Sequence, residues 1–240
     1  MNIGVIFAGG AGTRMHTVDT PKQFLVVYGK PVIIHTLEYF EQCEDIDAVV
    51  ISCIAGWEVH LQELLEQYHI SKVRKIVPGG ATGQLSIYNG LCAADEVAGG
   101  EKSVVLIHDG VRPLISAGLL KENIESVKKY GSAITTGAVY ETIVVTNSAN
   151  EITSIPDREA CRVAKAPQSF WLDEVLTVER EAIAAGETSA YDTCCLMNAH
   201  GHSLHMIEGP VENIKVTTPD DIYIFRSVLE KRENKQIYGL

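Results

Sequence analysis

Positive charge is scarce in this sequence. It contains 20 lysines and arginines against 31 aspartates and glutamates, which gives a formal net charge of −11. A protein that binds nucleic acid usually presents a basic face, so this balance argues against a nucleic-acid partner. An acidic protein that binds a small anion has to gather its few cations in one place, and Arg14 and Lys22 already lie close together in the sequence.

Long apolar runs and paired cysteines are also missing. No stretch is long enough to cross a bilayer, and no charged segment precedes the short apolar run near the N-terminus. The six cysteines form no C-x-x-C pair, which is typical of reduced thiols in the cytoplasm. With 46% hydrophobic and 21% charged residues, the composition is that of an ordinary globular protein. We therefore expect a cytoplasmic protein without a membrane partner.

The first 140 residues alternate between short apolar runs and segments with helical spacing. The apolar runs, which we interpret as buried strands, are 2–8, 48–54, 73–80, 103–110 and 132–140. The amphipathic segments, which we interpret as helices, are 31–43, 58–68, 83–97 and 117–130. Strands that are apolar throughout and separated by helices predict a mostly parallel sheet with helices on both faces. The sequence therefore indicates an α/β fold.

The alternation breaks after Tyr140. The following segment has β-branched runs around the turn sequence NSANE and no helical period, so we predict a projecting β-arm at about 141–168. Beyond the arm, the predicted elements are helices at about 172–185 and 190–200, strands at 203–209 and 212–218, and a closing helix at 219–233. Because no linker, repeat or low-complexity segment interrupts the chain, residues 1–240 are interpreted as one domain that carries the arm.

Three unusual loops follow predicted strands. AGGAGTRM follows the first strand, PGGATGQLS the third and HDGVRP the fourth. Ligands of open parallel sheets bind outside the carboxyl ends of the strands, so these loops should meet at one cleft. The first loop has neither the third glycine of a Rossmann loop nor the lysine of a Walker loop. Its backbone and the two cations Arg14 and Lys22 suit a triphosphate, although a tight turn with two solvated cations is an alternative.

Other charged residues allow both a functional and a structural interpretation. Asp109 follows a buried strand, where an aspartate is a natural ligand for Mg²⁺. Arg112 could orient that loop or contact a substrate, and the alternative is an Asp–Arg pair that only caps a turn. Lys215 lies on the last predicted strand, either as an edge residue or as a cation that reaches the cleft. Polar residues in the arm, among them Thr142 and Arg158, could equally be plain surface.

Five motifs in this order resemble the IspD/TarI-type cytidylyltransferases. They are AGGAGTRM, PKQF, HDGVRP, APQSF and ENIKVTTPDD, and the resemblance extends from residue 2 to about residue 230. The family implies transfer of CMP from CTP to a polyol phosphate, with release of pyrophosphate and with Mg²⁺ as cofactor. It also implies a Rossmann-like sheet and a homodimer, in which the arm of one subunit reaches over the substrate pocket of the other.

The resemblance implies a role for each matching residue. The catalytic residues, which would stabilise charge on the α-phosphate and the leaving pyrophosphate, are Arg14, Lys22 and Lys215. The nucleotide-binding residues would be Ala8, Gly9, Gly10, Gly12, Thr13, Gly80 and Ser86. The substrate-binding residues would be Asp109, Arg112, Thr142 and Arg158, with Asp109 also holding the metal and the two arm residues serving the partner subunit.

Departures from the family pattern bear on the substrate. Gly83 stands where the family often has arginine, and Ala166 where it often has threonine. HDGVRP, and IPDR in the arm, are closer to the ribitol-phosphate members, so we predict D-ribitol 5-phosphate, with 2-C-methyl-D-erythritol 4-phosphate as the alternative. Two further hypotheses are a nucleotidyltransferase that uses UTP or GTP with a sugar 1-phosphate, and a nucleotide-sensing or scaffold protein on the same fold. The joint presence of the charged loop residues argues against the last hypothesis.

Overall fold

The computed structural model describes residues 1–10, 15 and 20–238, with side chains as far as Asn234. Its strands are β1 (Asn2–Ala8), β2 (Val26–Val27), β3 (Lys30–Pro31), β4 (Ala48–Cys53), β5 (Val73–Pro78), β6 (Val104–Asp109), β7 (Ser132–Ala138), β8 (Val145–Thr146), β9 (Ile152–Ser154), β10 (Arg162–Trp171) and β11 (Met206–Glu208). Its helices are α1 (Val32–Gln42), α2 (Glu58–Gln67), α3 (Gly83–Ala98), α4 (Ala117–Tyr130), α5 (Leu172–Ala184), α6 (Thr193–Ala199) and α7 (Pro219–Tyr238).

Within this part of the chain, seven strands form a central sheet in the order β11–β7–β10–β6–β1–β4–β5. Every neighbouring pair is parallel except those of β10, which runs antiparallel to both β6 and β7. Strands β4 and β6 are buried at every residue, as expected for parallel strands covered on both faces. The predicted α/β class, with a mostly parallel Rossmann-like sheet, is confirmed.

Two hydrophobic clusters cover the opposite faces of the sheet. Val5 and Ile6 are neighbours in β1 and belong to different clusters, because successive side chains of a strand point to opposite faces. The cluster around Ile6 contains residues of α1, α2 and α4, and the cluster around Val5 contains residues of α3, α5 and α6. Since helices occupy both faces, the ends of the strands are the open approach to the sheet.

Strand β10 shortens the predicted arm. Residues 162–164 pair with β7, and residues 168–171 pair with β6, so the segment predicted as the returning half of the arm belongs to the central sheet. The first residues of β10 are exposed, and its buried half begins only at Ala166. Because only its second half is buried, the sequence of β10 does not have the continuous apolar pattern of a core strand. The segment outside the central sheet is 139–161, which contains the small β8–β9 sheet.

The predicted strand at 212–218 is wrong. This segment is a loop without regular secondary structure, and the strand predicted before it is confirmed as β11. Val216 donates its backbone N–H to the carbonyl of Val111 at 2.9 Å. The carboxylate of Asp221 accepts the N–H groups of the two residues before α7, at 2.8 and 2.7 Å. β-branched residues favour strands, but here these tertiary hydrogen bonds replace a strand ladder.

Two expectations from composition can be compared with the structure. The six cysteines all lie in the described chain, and none forms a disulfide. Among the helices that the structure describes, none combines the length and the apolar content needed to cross a bilayer.

Candidate active site

Two adjoining cavities lie at the carboxyl ends of β1, β5 and β6. The first, here called the glycine cavity, has a volume of about 460 Å³ and lies against the loops after β1 and β5. The second, here called the β10 cavity, has a volume of about 210 Å³ and lies between the loop after β6 and the start of β10. Both are lined by Phe7, Gly83, Asp109 and Lys215. The three loops therefore meet at one cleft, and this prediction is confirmed.

The glycine cavity is built by loops whose backbones pack directly on each other. A Cβ atom at Gly9 would lie 2.8 Å from Ser86 Oγ and 3.1 Å from the Cα of Gly79, so a side chain has no room there. Ser86 Oγ accepts the N–H of Gly80 at 2.9 Å and donates to the carbonyl of Thr82 at 2.9 Å. Ser86 thereby ties the loop after β5 to the start of α3.

The predicted nucleotide-binding residues fall on this cavity as far as the structure describes them. Those that line it are Ala8, Gly9, Gly10, Gly80 and Ser86. Gly12 and Thr13 lie outside the described residues, as does the predicted catalytic residue Arg14. The described part of the first loop, the loop after β5 and the start of α3 thus share one surface.

Gln23, which was not among the predicted site residues, anchors the first loop. Its side chain is buried, and its Nε2 donates to the carbonyls of Ala8 at 2.7 Å and Gly10 at 3.4 Å. Gln23 follows Lys22 in a 3₁₀ turn, Lys22–Phe24. The turn that holds the loop therefore also carries Lys22, which lines the glycine cavity as predicted. The signal was present in the motif PKQF, in which a glutamine follows the lysine.

Asp109 is the charged residue at the junction of the two cavities. Its Oδ1 lies 2.5 Å from Lys215 Nζ, and its Oδ2 accepts a hydrogen bond from Arg112 Nε at 2.7 Å. Burial of Asp109 raises the pKa of its carboxyl, but the ammonium of Lys215 and the guanidinium of Arg112 hold that pKa well below its usual range. The carboxylate stays ionised at neutral pH, and the three residues together carry one net positive charge.

Lys215 reaches the cleft from a loop rather than from the predicted strand. Neighbouring residues hold this loop in place. Asn213 Nδ2 donates to the carbonyl of Ala166 at 2.7 Å, and Arg112 donates to the carbonyl of Asn213 at 3.3 Å. The Nζ of Lys215 lies 5.7 Å from the ring centroid of Phe7, which lines both cavities. Of the two interpretations of Lys215, the structure therefore supports the cation that reaches the cleft.

The predicted arm residues lie away from both cavities. Thr142 and Arg158 are exposed, and neither lines the glycine cavity or the β10 cavity. Arg158 Nη1 donates to the carbonyl of Tyr140 at 3.0 Å, within the arm itself. Arg112, in contrast, lines the β10 cavity. A single chain thus brings together the predicted loop residues but not the predicted arm residues.

A polar wall of the β10 cavity was not predicted. Gln168 Nε2 donates to the Asp192 carboxylate at 3.1 Å, and Gln168 Oε1 accepts the N–H of Cys194 at 2.8 Å. Burial raises the pKa of the Asp192 carboxyl, but hydrogen bonds, first from Cys195, lower it overall. Gln168 lies on β10 and Asp192 just before α6, so this wall comes from distant segments that no local motif connects.

Gln84 extends this wall from the second residue of α3. Its Nε2 donates to the Glu179 carboxylate at 3.0 Å and to the carbonyl of Glu187 at 2.9 Å, while its Oε1 accepts the N–H of Ala190 at 2.9 Å. Glu179 is 1% exposed, and burial raises its pKa to about 7, although the hydrogen bond from Gln84 lowers it. Gln84 thereby joins α5 and the loop before α6 to the helix that borders both cavities.

A divalent cation at this cleft would find one shared carboxylate. Among the described residues that line the cavities, Asp109 is the only acidic residue common to both. It is ionised, which is the form that binds a cation, but its oxygens already face Lys215 and Arg112. Mg²⁺ commonly takes one or two protein carboxylates and fills its other positions with phosphates and water. The donor set therefore fits a metal that arrives with a polyphosphate.

Comparison with known proteins identifies the family. The profile of the IspD family, described as 2-C-methyl-D-erythritol 4-phosphate cytidylyltransferase, matches residues 3–231. The chain belongs to the IspD family. The resemblance inferred from the five motifs is confirmed, and the glycine and β10 cavities are the cleft of an IspD-family protein.

Two full-length relatives are named after ribitol 5-phosphate, which differs from the substrate in the family description. The ribitol-5-phosphate cytidylyltransferase of Streptococcus agalactiae serotype V is 51% identical over 240 residues, which is 100% of both chains. The ribitol-5-phosphate cytidylyltransferase of Vibrio parahaemolyticus serotype O3:K6 is 48% identical over 239 residues, again 100% of both chains.

Solved structures of the family share the fold. The 4-diphosphocytidyl-2C-methyl-D-erythritol synthase of Anaerococcus prevotii superposes with a TM-score of 0.83 at 26% identity, covering 95% of this chain and 96% of the other. The 2-C-methyl-D-erythritol 4-phosphate cytidylyltransferase of Thermus thermophilus gives a TM-score of 0.74 at 25% identity, covering 96% of this chain and 100% of the other.

Proposed function

We propose that this protein is a cytidylyltransferase that transfers CMP from CTP to D-ribitol 5-phosphate and releases pyrophosphate. The observation that supports this activity is the junction at Asp109 and Lys215, where a glycine-lined cavity meets a second cavity with its own cations. The glycine cavity suits a nucleoside triphosphate, and the β10 cavity suits a smaller anionic substrate. The choice of ribitol 5-phosphate follows the names of the more similar, full-length relatives, and methylerythritol 4-phosphate, named in the family description, is the alternative.

The reaction is a direct displacement at phosphorus. A phosphate oxygen of ribitol 5-phosphate attacks the α-phosphorus of CTP, and the bond to the pyrophosphate leaving group breaks as the new P–O bond forms. Lys215, which borders both cavities, is placed to meet charge on the α-phosphate, and Lys22 is placed for the other phosphates of CTP. Arg14 is proposed to act with them. Positioning and cationic stabilisation supply the catalysis, so no covalent intermediate with the protein is needed.

Mg²⁺ is the proposed cofactor, and Asp109 is the residue that would hold it. When bound, the metal neutralises charge on the triphosphate. The ionised carboxylate at the junction of the cavities supports this assignment. Lys215 and Arg112 hold Asp109 at the junction of the two cavities, where we propose that the phosphates of both substrates meet.

The proposal includes a homodimer in which each arm covers the β10 cavity of the other subunit. Apolar side chains of the segment 139–161, including Tyr140, Ile152 and Ile155, are about two-thirds exposed in the single chain (66, 59 and 61%). Such a surface favours burial against a partner. Thr142 and Arg158 would then act on the substrate of the other subunit. Because CTP is a cytoplasmic nucleotide, we also propose a cytoplasmic location.

A substrate panel tests the function. The protein is incubated with CTP and Mg²⁺ and with ribitol 5-phosphate, methylerythritol 4-phosphate or glycerol 3-phosphate, and pyrophosphate and the CDP-polyol are measured. Ribitol 5-phosphate should give the highest kcat/KM. Faster turnover of methylerythritol 4-phosphate would move the assignment to the alternative, and a preference for UTP or GTP with a sugar 1-phosphate would replace it. Folded protein that releases pyrophosphate with none of these substrates would refute the proposal.

A further inference from the structure

Lys165 is a cation of the β10 cavity that no motif predicted. It lies on β10 immediately before Ala166, at a point where the register with β7 shifts between Ala164 and Gln168. Its side chain is half-buried and lines the β10 cavity but not the glycine cavity. Lys165 therefore belongs to the half of the cleft that the smaller substrate would occupy.

The position of the Lys165 side chain depends on a glycine. A Cβ atom at Gly137 would lie 2.8 Å from Lys165 Cε and 3.2 Å from its Nζ, so the lysine packs across the bare backbone of β7. The ammonium donates to the carbonyls of Val211 at 3.3 Å and Pro210 at 3.5 Å. These two bonds are long for N–H···O hydrogen bonds, and a lysine ammonium has three donors. The contacts orient the side chain but leave it able to bind a stronger acceptor.

The charge around Lys165 is not balanced. Arg112 and Lys215 both pair with Asp109, whereas no described carboxylate lies within ion-pair distance of Lys165. Burial and the nearby guanidinium of Arg112 lower the pKa of Lys165. Two cations that line the same partly desolvated cavity repel, and a bound anion offsets that repulsion. A purely structural lysine that supports the 210–211 loop would gain little from the two long bonds.

We propose that Lys165, together with Arg112, binds the phosphate group of the polyol phosphate in the β10 cavity. The identity of this ligand rests on the proposed function. Ala166, the next residue on β10, has no side-chain donor, so Lys165 is the cationic donor that this strand contributes to the cavity. The polar wall of Gln168 and Asp192 lines the same cavity and offers acceptors for the hydroxyl groups of the polyol.

The test compares Lys165→Met with Lys121→Met, the same change at an exposed position of α4. In Lys165→Met the KM for ribitol 5-phosphate should rise about tenfold or more, which is the effect of losing a charge-assisted hydrogen bond. The KM for CTP should stay within about twofold, because CTP phosphates are assigned to the glycine cavity. Lys121→Met should leave both constants unchanged. An unchanged KM for ribitol 5-phosphate, or an equal rise for CTP, would overturn the proposal.

Two further variants separate charge from loop support. Lys165→Gln retains N–H donors without the charge, and Lys165→Arg retains the charge. If Lys165 binds phosphate, the arginine variant should recover most of the affinity and the glutamine variant should not. If the Lys165→Gln variant binds ribitol 5-phosphate as tightly as wild type, Lys165 only supports the loop at 210–211, and the proposal fails. The melting temperature of each variant is measured alongside, and these two variants decide the question if Lys165→Met does not fold.

Equilibrium binding distinguishes this proposal from the proposed function. Calorimetry with ribitol 5-phosphate and with ribitol, on wild type and Lys165→Gln, measures the contribution of the phosphate without turnover. The wild type should bind ribitol 5-phosphate much more tightly than ribitol, and the variant should lose most of that difference. Tight, Lys165-dependent binding with no pyrophosphate release would refute the cytidylyltransferase and retain the phosphate site. If wild type and variant prefer ribitol 5-phosphate over ribitol to the same degree, the phosphate site at Lys165 is refuted, and the proposed function is not affected.

Discussion

The ammonium of Lys215 lies 2.5 Å from a carboxylate oxygen of Asp109, and this pair connects the end of β6 to a loop 106 residues further along the chain. Asp109 is 6% exposed in its side chain, whereas that of Lys215 is 38% exposed. The carboxylate is therefore fixed in the protein, and the cation faces the cleft. Such an arrangement holds the lysine in the cleft in the absence of substrate, so at the proposed reaction centre it would need no reorganisation when charge develops.

Lys215→Met should remove this cation with a similar side-chain volume. Because Lys215 is proposed to stabilise charge that develops in the transition state, kcat for pyrophosphate release should fall on the order of 100-fold, with a smaller change in KM. Initial rates at saturating CTP and ribitol 5-phosphate measure this effect. Lys121→Met, at an exposed position, is the control. A variant that keeps wild-type kcat would show that Lys215 serves only to neutralise Asp109.

Gly9→Ala should destabilise the free protein. The new Cβ would lie 2.8 Å from Ser86 Oγ and 3.1 Å from a backbone Cα, and forcing extra atoms into packed space costs about 1–3 kcal/mol. Urea unfolding without ligand measures the change. Gly83→Ala is the matched control in the same cleft, since a Cβ there meets no described atom within 4 Å. Equal stability of the two variants would contradict the close packing of the glycine loops.

Glu179→Gln should stabilise the protein at alkaline pH. The folded protein holds a proton on Glu179 up to a pKa of about 7, against an ordinary value of 4.5. The stability that this proton supplies is complete below pH 4.5 and is lost as the pH rises through 7. At pH 8 the variant should therefore exceed wild type in unfolding free energy by about 2–3 kcal/mol, and the difference should vanish near pH 4.5.

Urea unfolding of both proteins from pH 4.5 to 8 checks this prediction. Glu122→Gln, at an exposed position of α4, serves as the control and should follow wild type throughout. A difference between Glu179→Gln and wild type that does not depend on pH would mean that Glu179 is not protonated in the folded protein.

Shared active sites predict complementation between two inactive variants. Lys215→Met disables the cleft of its own chain, and Arg158→Ala disables the arm that is proposed to serve the partner. In a mixed dimer, the Arg158→Ala cleft receives the intact arm of the Lys215→Met chain. If subunits assort at random, co-expression should restore about a quarter of wild-type activity. Activity of the mixture that does not exceed the sum of the separate variants would contradict the shared site, as would a monomer in light scattering.

The sequence predicted those parts of the fold that short patterns specify. The continuous apolar run 2–8 indicates a buried strand and the helical spacing of 117–130 indicates a helix, and the structure contains both elements with these bounds. The meeting of the three loops followed from one rule about the ends of parallel strands. Strand β10 was not recognised as a core strand because its first half is exposed, and 212–218 was misassigned because strand propensity does not show which hydrogen bonds a segment forms.

The candidate site was predictable where motifs are continuous. Asp109, Arg112 and Lys215 lie in recognisable stretches, and the structure brings them within hydrogen-bond or ion-pair distance. Lys165 and Asp192 were not predictable, because each lies outside the recognised motifs. Gln168 lies within the motif APQSF, but its partner Asp192 is distant in the sequence, so the wall that they form shows only when the start of β10 meets the loop before α6.

The central place of the one reversed strand has an evolutionary consequence. Because β10 runs antiparallel to its neighbours, it begins at the end of the sheet where the parallel strands finish, so the connection over 139–161 leaves β7 and enters β10 beside the β10 cavity. A relative could acquire a new acceptor by exchanging this connection and the first residues of β10. The loops after β1 and β5 would keep their glycines, and with them the preference for one nucleotide. The substrate that accepts CMP would then change during evolution, while the nucleotide that donates CMP stays the same.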